Sequence, residues 1–159
     1  MIWKRFRKLK LSELKHLVRL GISRPLLILP TYRATERTLE FCDDNFGKEH
    51  HGNSRANAVR HALWNYLICE SCFEQGISKE EAAAWAEKLT SLHEELAPNS
   101  EIERKMDLHN NAVGRKLFLK DSTGDIFEIL LKMAENSRAV KGISGINSKV
   151  EGLVHIEKT

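Results

Sequence analysis

Three segments whose apolar residues recur at helical spacing also carry amide, imidazole and carboxyl groups at that spacing. They are Asn57, Arg60, His61 and Asn65 in SRANAVRHALWNYL, His93 and Glu94 in LTSLHEEL, and Asp107, His109, Asn110, Asn111 and Arg115 in MDLHNNAVGR. Burying Asn, His or Asp costs about a few kcal/mol each unless the group is paired. A chain that folds with three such helices around one interior must therefore connect these polar groups to one another, and an active site is one reason to do so.

The punctuation of the chain supports helices throughout. Leu11 to Leu20 reads as an amphipathic helix closed by Gly21, and Pro25 and Pro30 then break the pattern. Thr31 to Phe46 is expected to be helical, with Tyr32, Thr35, Leu39, Cys42 and Phe46 along one side. Ser54 caps a helix to about Gln75, with Gly76 at its end. Ser78 with Glu81, and Ser100 with Glu103, have capping-box spacing and start two more, running to Leu96 before Pro98 and to about Leu119. A further helix is expected from Asp125 to Asn136. From Lys141 the helical period is lost, and GLVHIEK is a short strand or a tail.

With 159 residues and no repeat or low-complexity tract, the expectation is an all-α fold, a compact single-domain bundle of five to six helices with an irregular C-terminal tail. Its parts are a basic N-terminal helix over residues 1–22, a helical core over 23–140 that carries the motifs, and the tail over 141–159.

The net charge of +3 is unevenly placed. Residues 1–20 hold seven Lys/Arg against Glu13, whereas the rest holds 18 Lys/Arg against 21 Asp/Glu. With Trp3, Phe6 and several leucines interleaved, this segment suits an anionic membrane surface or a nucleic-acid backbone, or packs its leucines on the domain. Nucleic acid is not expected as a partner, because the remainder lacks an extended basic face. PLLILP, the one strongly apolar run, is too short to span a bilayer or to form a signal-peptide core. The chain is expected in the cytoplasm, peripheral to a membrane, or delivered by a non-classical secretion route. Cys42, Cys69 and Cys72 cannot all pair, and the single CxxC has no second one to complete a zinc site, so reduced thiols are expected.

Asn57, His61 and Asn65 share one helical stripe, and a histidine between two amides is placed to act as a general base or a metal ligand. Adjacent His93 and Glu94 point about 100° apart. This is not the H-E-x-x-H zinc motif, since residue 97 is Ala. On the third segment Asp107, Asn111 and Arg115 share a stripe, while Gly114 costs about 1 kcal/mol relative to Ala in a helix, which implies close approach of a backbone or ligand. The candidate catalytic residues are thus His61, Glu94, Asp107, Arg60 and Arg115. Asn57, Asn65, Asn110 and Asn111 are candidates for binding substrate, with His93 and His109 as further metal candidates.

Together these motifs resemble those of an uncharacterised bacterial domain family with an R-H-A-x-W-N helix, a later H-E and M-D-L-x-N-N-x-x-G-R. The matching residues are Asn57 to Asn65, His93-Glu94 and Met106 to Arg115. The resemblance implies a helical domain of unknown activity, found alone and in secreted or toxin-like proteins. Asn57 stands where an acidic residue is frequent in that pattern. RHALWNYL is also distantly similar to the helix of prokaryotic phospholipases A2, with Ala62 in place of their calcium-holding aspartate and without their disulfide framework.

The function expected from these readings is a small helical hydrolase acting on a phosphate-containing or lipid substrate, in which a divalent metal is one possible cofactor. A toxin-like role would add a partner or immunity protein. The alternative is a non-enzymatic module that binds a membrane surface or partner protein and uses the polar residues as a buried structural network.

Overall fold

The computed structural model describes residues 18–19, 21–121, 124–147 and 150–157. The basic run before Val18, with most of the helix expected from Leu11, lies outside the described residues. Gly21 is itself helical, as are residues 22–23, so it is not a helix stop.

A 3₁₀ turn over Pro25–Leu27 leads directly into α1, Ile28–Phe46. Pro30 therefore lies within the first turn of α1 and does not break it. The first four N–H groups of a helix have no acceptor inside it, so a proline there removes nothing. The buried line of α1 is Pro30, Ala34, Thr38 and Cys42; of the expected line only Cys42 belongs to it, with Thr35, Leu39 and Phe46 half-buried at its edge and Tyr32 exposed. Small residues at that spacing let α1 approach α2 closely, and this requirement outranks the search for large apolar side chains.

The central helix is α2, Arg55–Phe73, capped by the Ser54 hydroxyl, which accepts from the Asn57 amide N–H. It packs against α1 and all three later helices, so it is buried over most of its circumference and lacks a one-sided apolar period. The helices α3, Lys79–Leu96, and α4, Glu101–Leu119, both begin with the complete capping boxes that Ser78/Glu81 and Ser100/Glu103 predict. Asp125 caps α5, Ile126–Glu135, by accepting from Phe127 N–H.

Ala58, Val59, Ala62, Leu63, Leu67 and Ile68 of α2 form the middle of the main core, with Trp85, Phe118 and Leu130 around them. A smaller cluster joins Met106 of α4 to Val140, Ile146, Val150 and Val154, so the irregular tail is seated on the bundle. Two short strands, β1, Arg138–Val140, at the end of the stretch expected to be helical core, and β2, Val154–Ile156, within the tail, pair in parallel with Arg138 opposite Val154 and Val140 opposite Ile156. Among the described residues no helix is long and apolar enough to cross a membrane.

Candidate functional site

The crossing of α2 and α4 sets the site. Gly114 lies so close to α2 that a β-carbon there would be 2.0 Å from the Ala62 carbonyl oxygen, so the close approach implied by this glycine is made by backbone. One turn earlier on α4 stands Asn111, and immediately before Ala62 stands His61.

His61 is 1% exposed, Glu94 of α3 1% and Asp107 of α4 3%. His61 Nδ1 lies 3.1 Å from Asn111 Oδ1 and 3.5 Å from Glu94 Oε1. Its Nε2 lies 2.8 Å from Arg60 Nη2 and 3.2 Å from Asp107 Oδ1. A guanidinium only donates, so Nε2 is the acceptor and the ring proton sits on Nδ1, facing two acceptors. His61 is thus a neutral imidazole with its tautomer set from both sides.

Asp107 Oδ2 accepts from Asn99 Nδ2 at 3.1 Å, while Oδ1 is buried and receives no hydrogen bond. Burial, and then the neighbouring Glu94 carboxylate, push the Asp107 carboxyl up to about 8 against the opposing pull of the Arg60 guanidinium. Near neutral pH the protonated acid is the favoured form, which relieves repulsion both between the two carboxyls and between Oδ1 and the Nε2 lone pair.

Behind the imidazole runs a chain of amides. Asn111 Oδ1 also accepts from Asn65 Nδ2 at 2.8 Å, and Asn111 Nδ2 donates to Glu94 Oε1 at 3.4 Å. Asn65 Oδ1 in turn accepts from Thr90 Oγ1 at 3.1 Å and from Arg115 Nη1 at 2.9 Å. Arg115 closes the chain on Glu87 at 3.1 Å. It therefore orients Asn65 and does not touch His61.

The structure thus brings together His61, Glu94, Asp107, Asn111, Asn65, Arg60 and Arg115, and sends four other candidates elsewhere. Asn57 Nδ2 donates to the Gly52 carbonyl and holds the preceding loop. Asn110 clamps β2, donating to the Val154 carbonyl at 2.9 Å and accepting from its N–H at 3.0 Å. His93 packs edge-on against Trp64, and His109 Nε2 lies 2.9 Å from the Gly152 carbonyl oxygen. Residue 93 is one position from Glu94, and residue 109 two from Asp107, so each points off the inward stripe by about 100° or 200°.

Donor atoms of His61, Glu94 and Asp107 lie within 4.8 Å of one another, which is compact enough to hold a metal ion. A second such group, Asp43, His50 and His51, is not apparent from the sequence, where the two histidines read as part of a polar loop. Buried His50 places Nε2 2.8 Å from Asp43 Oδ1, and its carbonyl accepts from Arg60 Nε at 3.0 Å. That contact aims the guanidinium at His61. The His51 imidazole is held below the usual range by burial first, then by His50 and Arg60.

Thr90, Glu87 and Asn99 also escape the sequence reading. The first two are the α3 residues one and two turns before Glu94, a helical stripe that was visible. Asn99 lies in the exposed connector between α3 and α4 and carries no such period.

A comparison with curated proteins finds no match. The model of a family described as a domain of unknown function, DUF6973, matches residues 18–139, a span that contains the three helices that carry the His61 site and stops just short of the tail. By that match the chain belongs to the DUF6973 family.

Proposed function

We propose that the chain is a small helical hydrolase of phosphate-containing or lipid esters, with its chemistry centred on His61. The observation that carries this reading is the convergence of a neutral, tautomer-fixed imidazole and two carboxyl groups from three helices, all at most 3% exposed. Packing alone has no need of a second buried carboxyl group, and its cost is about 1–3 kcal/mol or more when imperfectly paired.

His61 Nε2 is the general base. Arg60, only half-buried, leaves Nε2 for an anionic oxygen of the substrate, and a water takes its place. As the new bond forms from water oxygen to phosphorus or carbonyl carbon, Nε2 takes the water proton. The ester bond breaks, and its leaving oxygen takes a proton from Asp107, the acid nearest the imidazole. The imidazolium then returns its proton to Asp107 across their 3.2 Å separation, so one ester and one water are consumed and the site is restored. Asn111 and Asn65 act through His61 as positioning residues. A divalent cation in place of the carboxyl proton would be held by His61, Glu94 and Asp107 and would supply a Lewis acid for the ester oxygen. A toxin-like role and an inhibitor partner would follow from activity against a cellular ester.

The near-complete burial of these groups favours a second reading, in which the network only fixes helix register. Turnover of phosphodiester and phospholipid substrates by the parent chain and by His61→Ala, with and without divalent metal, separates the two. The catalytic reading expects a loss of about 100-fold or more with the fold retained by circular dichroism. No turnover by the parent under any of these conditions, with a strongly destabilised variant, establishes the structural reading instead.

A further inference from the structure

The most apolar run of the chain lies largely on the surface. Within PLLILP only Leu27 and Pro30 are buried, while Leu26 is 82% exposed and Ile28 and Leu29 are half exposed. Val18, Ile22 and Tyr32 extend this face, Ile22 being 74% exposed. The two parts of it adjoin, since a β-carbon at Gly21 would lie 3.3 Å from Ile28 Cδ1. Singly exposed apolar residues need no explanation, but six large ones on neighbouring turns form a patch that water disfavours.

The sequence around it is basic. Arg19 and Arg33 are interleaved with the apolar residues, Arg24 pairs with Glu81 at 3.2 Å and Tyr32 with Glu36, and the sequence before Val18 carries Lys4, Arg5, Arg7, Lys8, Lys10 and Lys15 against Glu13. We infer that the Val18–Tyr32 face docks on the surface of an anionic lipid bilayer, with Ile22, Leu26 and Leu29 entering the headgroup region, Arg19 and Arg33 meeting lipid phosphates, and the basic charge of the N-terminal sequence favouring anionic over neutral lipid. A second copy of the chain fits this face less well, because a symmetric pairing brings two strongly basic segments together.

The docking is independent of the catalytic reading. Trp85 Nε1 donates to Thr31 Oγ1 at 2.9 Å, and that hydroxyl lies 3.8 Å from Cys72 Sγ. The face therefore sits at the Cys72 end of α2, about 16 Å along the helix from His61, and leaves Arg60 and Asn99 uncovered.

The test is cosedimentation of the full chain with vesicles of phosphatidylcholine alone and of phosphatidylcholine with about one-fifth phosphatidylserine, at about 0.1 M and about 0.5 M salt. The expected result is binding to the anionic vesicles, weakened by salt, and reduced about tenfold or more in Ile22→Glu/Leu26→Glu. These positions are exposed, so the variant should keep the parent's circular dichroism; if it does not, Leu26→Glu alone serves the same comparison. No binding by the full chain, equal binding to both vesicle types, or binding unchanged in the variants overturns the proposal. A full chain that is dimeric by sedimentation, ignores vesicles and becomes monomeric in the variants also overturns it, and gives the face to a second copy.

Discussion

Gly114 rests on the Ala62 carbonyl, with space for a hydrogen and none for a methyl group. The contact joins the two helices that carry His61 and Asn111, and so governs the 3.1 Å hydrogen bond between them.

Gly114→Ala raises helix propensity by about 1 kcal/mol, yet it should destabilise the protein. The added methyl would meet backbone atoms, which cannot rotate away, and forced separation of packed elements costs about 1–3 kcal/mol or more. Urea unfolding should show a lower midpoint. A midpoint equal to or above the parent's would mean that the helices tolerate the separation and that this contact does not hold the site's geometry.

Much of this architecture is legible from local chemistry. Both capping boxes close as Ser78/Glu81 and Ser100/Glu103 require, and the stripes through His61 and Asp107 do face each other. Where tertiary contact decides, local chemistry is silent. Pro30 looks like a breaker until its place within the first turn of α1 is known. Asn110 and Asn111 are adjacent amides with the same expected role, but successive helical positions point about 100° apart, so one meets His61 and the other β2. β2 falls within GLVHIEK, which reads as a short strand or a tail, but the three residues of β1 have no period to detect, and their pairing depends on a partner 16 positions away. Asp43 and His50 meet only because the chain turns at the end of α1.

Asn110 should therefore matter for the tail and not for the imidazole. It makes both available hydrogen bonds to the Val154 backbone from a fully buried position. Asn110→Ala leaves a buried N–H and a buried carbonyl unpaired, at about 1–3 kcal/mol for each group left unsatisfied. Hydrogen exchange should show faster exchange at Val154 and Ile156, with α2 protected as before. Uniformly faster exchange throughout would instead show that the tail and bundle unfold as one unit.

The Asp107 carboxyl gives the folded chain a distinctive dependence on pH. Its value in the folded protein is raised to about 8 from an ordinary 3.8, mainly by burial and then by Glu94. Between those values the folded state holds a proton that the unfolded chain releases. The resulting stability is fully present below the unfolded value, declines as pH rises, and is lost once pH passes the folded value. Urea midpoints measured from about pH 5 to about pH 8 should fall for the parent by more than they do for Asp107→Asn, which cannot ionise. The amide also keeps the site neutral beside Glu94, so the variant should remain folded at the alkaline end. Parallel pH profiles for the two proteins would show that the proton is not held at Asp107 and would remove the acid assigned to the leaving group.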